Sequence, residues 1–198
     1  MGIIKKDFRY KIVKNFISVY EKNLLHHYTR IRHRTNDESF EGSLSNHPDT
    51  SIYADPVMES LLLNKLKFME NNTGLELLPT YAYWRMYTWG ACLKKHKDRP
   101  SCEISVTVSL GSSDDKPWPI YINDKPVILE HGDAVIYLGV EDTHHRNTLD
   151  SDYHSQVFLH YVDKNGPYKK YHKDGRLIYG VTKEGRAVTW LWIEKKMV

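Results

Sequence analysis

Segments of the chain that place a histidine two residues before an aspartate include His47-Pro48-Asp49, His96-Lys97-Asp98 and His172-Lys173-Asp174. On a strand, residues i and i+2 point to the same side, so such a pair aims an imidazole and a carboxylate at one spot. A second imidazole arriving from elsewhere completes a set that holds a divalent metal on one face, with coordination positions left open. Two histidines and one carboxylate suit ferrous iron. The pattern alone is unspecific, and context selects among the three. His172 has no histidine after it to complete the set. His47 lies beside a proline in a polar stretch with no strand on either side. His96 sits between two strand-like segments, and the histidines beyond Asp98 are His131, His144, His145, His154 and His160. His131 precedes Gly132-Asp133 and reads as a turn. His144 and His145 directly follow an apolar strand, whose end can deliver a side chain to a barrel mouth.

The elements that must position these residues fall into two groups. From Lys11 to Arg30, apolar residues recur at three- and four-residue steps, which predicts an amphipathic helix. Residues 32–54 are polar and turn-rich, and read as a loop that either lids a substrate or lacks order. Asp55-Pro56 reads as an N-cap followed by proline at the first helical position, opening a helix that ends at Gly74. After Leu78 short strands take over. Tyr81, Tyr83, Arg85 and Tyr87 alternate with Ala82, Trp84 and Met86. In 103–110, Ile104, Val106, Val108 and Leu110 alternate with Ser105, Thr107 and Ser109. Further strands are predicted at 118–122, 126–130, 133–139 and 153–162, with a C-terminal hairpin over about 175–195. Helices followed by many short strands predict a mainly β fold, helices packed on a sandwich or jelly roll. We read one domain over 1–198: a helical part to about 75, a β core over about 78–165, and the hairpin.

Composition is that of a soluble globular protein, with 40% hydrophobic and 27% charged residues. The net charge of +3 is small and dispersed, which makes nucleic acid an unlikely partner. No apolar stretch suggests a membrane span or signal peptide, and only Cys92 and Cys102 are present, so a cytoplasmic, reduced protein is expected. With no third thiolate available, both cysteines are read as small packed thiols.

Three ordered segments carry a resemblance. YTWGACLKKHKD resembles the Tyr-x-x-Gly motif leading into His-x-Asp of the prolyl-4-hydroxylase-like branch of the 2-oxoglutarate/Fe(II) dioxygenases, with Tyr87 nine residues before His96. WPIYINDKPVILEHGDAVIYLG is similar to that family's strand, turn and Gly-Asp before an apolar strand. THHRNTLDSDYHSQVFLHYV resembles its distal-histidine segment. The resemblance spans residues 81–161 and implies a double-stranded β-helix, the jelly roll of that family, with the N-terminal helices on its major sheet. It implies iron(II) held by His96, Asp98 and His144, with 2-oxoglutarate and O2 as co-substrates and ascorbate as reductant.

The resemblance also implies a cation for the far carboxylate of 2-oxoglutarate, since that charge cannot be buried unpaired. The family places Lys or Arg about ten residues past the distal histidine, where this chain has His154. Two anchors stay open: a protonated His154, or Arg146, which is permanently charged and suited to bidentate contact. Tyr87 is expected to donate its hydroxyl to the co-substrate. Thr107 is expected to reach it if the Ser105–Thr107–Ser109 face turns inward rather than to solvent, and Gln156 is a further candidate. Tyr83, Arg85 and Trp118 are read as lining a substrate groove. The implied reaction is hydroxylation of a C–H bond, with a peptidyl prolyl residue the first substrate and a small molecule the second. Two other classes fit the composition: a cupin-like metal enzyme without 2-oxoglutarate, and an inactive jelly-roll binding module.

Overall fold

The computed structural model describes residues 10–35, 49–114 and 116–182. Among these residues it is mainly β, with two antiparallel sheets that face each other and three α-helices. The strands are β1 (Tyr10–Val13), β2 (Thr50–Tyr53), β3 (Leu77–Thr88), β4 (Leu93–His96), β5 (Ile104–Ser112), β6 (Ile120–Ile122), β7 (Lys125–Val127), β8 (Ala134–Tyr137), β9 (His144–Arg146) and β10 (Tyr153–Asp163). The major sheet runs β1-β8-β5-β10-β3-β2 and the minor sheet β4-β9-β6-β7. This is the jelly-roll arrangement expected from the sequence.

Alternation along the major-sheet strands builds two different faces. Ala82, Trp84 and Met86 of β3, Ile104, Val106, Val108 and Leu110 of β5, and Val157, Leu159 and Tyr161 of β10 point outward. There they meet Leu25 of α1 (Val19–Thr35), Met58, Leu61 and Leu62 of α2 (Pro56–Asn64) and Met69 of α3 (Leu66–Thr73). The opposite face carries Tyr87, Ser105, Thr107 and Gln156, all buried between the sheets. The polar face of β5 is therefore turned inward, not solvated.

Caps set the helix ends. Ser18 Oγ accepts from the Glu21 amide at 3.2 Å while Glu21 Oε2 accepts from the Ser18 amide at 2.7 Å, a reciprocal capping box that starts α1. Asp55 Oδ1 accepts from the amides of Val57 and Met58 at the start of α2. Gly74, with φ +70°, ends α3 in the left-handed conformation that favours glycine.

Four expectations are corrected. The helix read over Lys11–Arg30 begins at Val19 and runs on to Thr35, because Tyr10–Val13 instead pairs with the edge of β8 as β1. The segment 32–54 is loop only in part: its start belongs to α1, Thr50–Tyr53 is an edge strand on β3, and 36–48 lies outside the described residues. The second helix breaks at Lys65, whose ammonium reaches Glu21 Oε1 at 3.1 Å. The first half of the C-terminal hairpin is not a strand. After a short 3-10 segment, Lys169–Gly175, residues 176–182 form an irregular strap, and the second half lies outside the described residues. Among the described residues no helix is long and apolar enough to cross a membrane.

An ion pair removed from solvent ties the strap down. Arg176 pairs with Glu59 of α2, both side chains being almost fully buried, and also donates to the Thr80 carbonyl at 2.9 Å. Glu59→Ala should lower unfolding free energy by about 3–5 kcal/mol, because it leaves a buried guanidinium unpaired. Urea unfolding of wild type and variant measures this, and equal midpoints would show that the pair contributes nothing.

Candidate functional site

The minor sheet brings two distant histidines together. In the β4–β9 ladder His96 is the cross-strand partner of His144, and their rings lie 4.2 Å apart between centroids. Asp98 lies just past the end of β4, and its amide donates to the Gly139 carbonyl at 2.8 Å. That turns the carboxylate back to the histidines: Asp98 Oδ1 is 3.6 Å from His96 Nε2 and 3.4 Å from His144 Nε2. The ligand atoms of the three side chains all lie within 4.8 Å of one another.

The far nitrogens fix how the rings present themselves. His96 Nδ1 faces the Lys94 carbonyl at 2.8 Å, and His144 Nδ1 faces the Asp142 carbonyl at 3.1 Å. A carbonyl only accepts, so each Nδ1 carries a proton, and it is the Nε2 of each ring that is turned toward Asp98. Two imidazole nitrogens and a carboxylate meeting at one point call for a cation among them, a proton shared with the carboxylate in the metal-free chain or a metal ion in its place. The donor set therefore fits a divalent metal with hard and borderline ligands. Burial works against the charge of Asp98, yet hydrogen bonding with His144 and His96 holds the carboxyl well below the usual carboxylate range. Ser105 Oγ supports its other oxygen at 3.0 Å. Gly139 leaves room for this: an added Cβ would sit 2.3 Å from the Cys102 carbonyl and 2.5 Å from Asp98 Oδ2.

Other sequence candidates fall in different places. His145 points to the opposite face of β9 and stacks on Tyr121 at 4.8 Å. Asp49 and Asp174, the aspartates of the other two pairs, are taken by Arg85 and Arg99 respectively. His47 lies outside the described residues. A cavity of about 430 Å³ opens at the triad and is lined by Tyr83, Arg85 and Tyr87 among others. Trp118 does not line it. Its ring covers Arg146 instead, 4.5 Å from the guanidinium carbon, and stands edge-on to Tyr87 at 4.9 Å. Cys102 also lies near Asp98 and His160, but burial pushes its thiol up, so it stays protonated and is a poor ligand.

Deeper between the sheets is a group of polar side chains with unused atoms. Arg146 is 3% exposed; it donates to the Trp118 carbonyl and to Gln156 Oε1 at 2.7 Å, and has no carboxylate partner among the described residues. Burial brings its pKa down only to about 10, so it keeps its charge at neutral pH. Arg146 Nε, Tyr87 Oη, His154 Nε2 and Gln156 Nε2 are all buried without a hydrogen-bond partner. Burial, reinforced by the charge of Arg146, drives the His154 pKa far down, which leaves a neutral ring and no second cation. Tyr137, which the sequence reading missed, packs edge-on to His144 at 4.9 Å and lies 3.4 Å from Thr107 Oγ1. Its signal was the inward phase of its strand, shared with Val135.

No protein-family model and no curated protein sequence matches the chain. Solved structures do. A prolyl-4-hydroxylase from Pseudomonas putida is 17% identical over 76% of this chain and 91% of its own, with a TM-score of 0.58. A 2OG-Fe(II) oxygenase family oxidoreductase from Burkholderia pseudomallei is 15% identical over 81% and 88%, with a TM-score of 0.61. The non-haem α-ketoglutarate-dependent epimerase SnoN of nogalamycin biosynthesis is 14% identical over 78% and 77%, with a TM-score of 0.65. The chain has the fold that these oxygenases share.

Two measurements follow from the site. Gly139→Ala should weaken binding of Fe(II) or Ni(II) by about 10- to 100-fold, as displacing a metal ligand's support does. Calorimetry reads this, and unchanged affinity would refute the fit around Asp98. The second concerns pH. Burial lowers His26 and His160 from 6.5 to about 4 and lowers His154 further. As pH falls below 6.5 the unfolded chain takes up protons that the folded one refuses, so stability is full above 6.5 and drains toward 4. His96, raised by its hydrogen bond to Asp98 against the pull of burial, works in the other direction but is one against three. Urea midpoints of the metal-free protein should therefore fall between pH 6.5 and 4, and a flat profile would count against buried neutral rings.

Proposed function

We propose that this chain is an iron(II)- and 2-oxoglutarate-dependent dioxygenase that hydroxylates a C–H bond. The observation that carries the reading is Arg146: a buried guanidinium with no carboxylate of its own, in the same inter-sheet space as the metal triad. A charge in that position stays unsatisfied until an anion arrives. A metal triad and an anion anchor together fit a co-substrate with a chelating end and a carboxylate end, which neither a cupin-like enzyme nor an inactive module requires. The 2OG-Fe(II) oxygenases of the same fold favour the same reading.

His96, Asp98 and His144 would hold iron(II), their Nδ1 contacts and Ser105 keeping the donor atoms aimed. The ion, when bound with 2-oxoglutarate and O2, supplies the oxidation that yields succinate, carbon dioxide and a hydroxylated product. Arg146 binds the far carboxylate of the co-substrate, and the idle hydroxyl of Tyr87 and amide of Gln156 add donors. His154, neutral, contributes at most a hydrogen bond. Trp118 over Arg146 keeps water from the anchor, which strengthens the ion pair. Tyr83 and Arg85 line the open cavity on the substrate side of the triad. A peptidyl prolyl residue is the first substrate to try, on the likeness to the prolyl-4-hydroxylase fold, with a small molecule second.

Anaerobic calorimetry tests the reading. 2-Oxoglutarate should bind the iron-loaded chain, and Arg146→Gln should weaken it about 100-fold, the size of one lost buried charge contact. Asp98→Ala should abolish succinate formation in the presence of O2 and ascorbate while circular dichroism is retained. An iron-loaded wild type that takes up no 2-oxoglutarate would sink the assignment.

A further inference from the structure

The cavity in front of the triad has a wall and a charge that the chemistry above leaves unused. Tyr53 of β2, Tyr81 and Tyr83 of β3, and Phe158 and His160 of β10 line it. Their rings form an unbroken run. Centroids are 5.0 Å apart for Tyr53–Tyr81, 4.5 Å for Tyr81–His160, 6.5 Å for His160–Phe158 and 6.0 Å for Phe158–Tyr83. The register of the major sheet produces this, since Tyr83 pairs with both Tyr53 and Phe158, and Tyr81 with His160. Such a wall suits a flat or ring-shaped carbon body, held by burial and offset stacking.

The charges decide what that body must carry. Aromatic faces attract cations, but here the chain has already supplied them. Arg99 lies over Tyr81 at 4.6 Å, Arg176 over Tyr53 at 5.2 Å and Arg85 over Tyr87 at 4.6 Å. A cationic substrate would meet guanidinium groups where it needs open ring faces. Arg85 and Arg99 are balanced by Asp49 and Asp174, whereas Lys97, on the cavity lining and exposed, has no hydrogen bond or ion pair among the described residues. Asp98 is the sole carboxylate on the described lining, and it belongs to the metal set. The mouth is left with an aromatic wall and one uncompensated cation.

We infer that the substrate is a ring-bearing anion, its ring lying on the part-exposed Tyr83–Phe158 end of the wall, which no guanidinium among the described residues covers, and its acidic group, a carboxylate or a phosphate, meeting the Lys97 ammonium. The inference rests on the dioxygenase reading for what happens next, but recognition itself needs no metal. A prolyl residue beside an acidic group belongs to this class, and a neutral prolyl chain does not.

The metal-free full chain therefore provides the test, with phenylacetate, phenyl phosphate and the neutral isostere phenylacetamide as probes in ligand-observed NMR titrations. At least one acid should bind about fivefold more tightly than the amide, the advantage of a partly exposed ion pair. Which acid it is separates a carboxylate from a phosphate substrate. Lys97→Gln should erase the preference, and Phe158→Ala should weaken acid and amide alike. Lys67→Gln, on α3, should change nothing. Equal binding of acid and amide, a preference that survives Lys97→Gln, or no binding of either acid would each overturn the inference. Because no metal or 2-oxoglutarate is present, failure here is distinct from failure of the oxygenase reading.

Discussion

A carboxylate and two imidazole nitrogens converge on one point inside the protein, and much of the structure exists to hold that meeting in place. The β4–β9 register makes His96 and His144 direct neighbours. Carbonyl oxygens of Lys94 and Asp142 choose the tautomer of each ring. Gly139 both accepts the Asp98 amide and, lacking a side chain, leaves room for the carboxylate. Each of these contacts is made by backbone groups of the minor sheet or its connections, so the donor geometry is set by strand pairing rather than by flexible side chains. A metal entering such a site gains affinity because the ligands are already placed.

The major sheet divides its labour by alternation. Its outward residues are apolar and sink into the helices, which anchors the sheet; its inward residues are then free to be polar. That is how Ser105 can brace Asp98 and how Tyr87 and Gln156 can keep unpaired atoms near Arg146. Polar atoms left idle in a protein interior are destabilising, of order 1–3 kcal/mol each, and their clustering about a single cation gives them a common purpose. The interior thus has two ends, one where three metal-ligating side chains converge and one that holds a guanidinium without a carboxylate among the described residues.

The strap after β10 extends this logic to the mouth. Arg176, sunk onto Glu59, fixes a segment whose Asp174 takes Arg99 through two contacts at 2.9 Å and the Tyr53 hydroxyl at 2.5 Å. Arg99 directly follows Asp98, so the wall of the cavity and the His96–Asp98–His144 cluster share one piece of backbone.

The sequence by itself determined the His96-x-Asp98 pair, the strand alternation and the caps at Asp55 and Gly74, because each depends on a local period or a neighbour two to four residues away; its element order left a sandwich or a jelly roll, and the family resemblance chose the jelly roll. Its reading erred where partners are remote. Tyr10–Val13 has helical spacing but found an open sheet edge, and 176–180 looked like a strand but was claimed by a buried carboxylate on α2. The resemblance pointed to His144 over His145, and the tertiary structure supplies the physical reason, since adjacent strand residues point to opposite sides and it is His144 that faces Asp98. Burial likewise sets Arg146 apart from His154: it leaves the guanidinium charged and the imidazole neutral, and burial is a property of everything packed around a residue, not of the residue or its position in the chain.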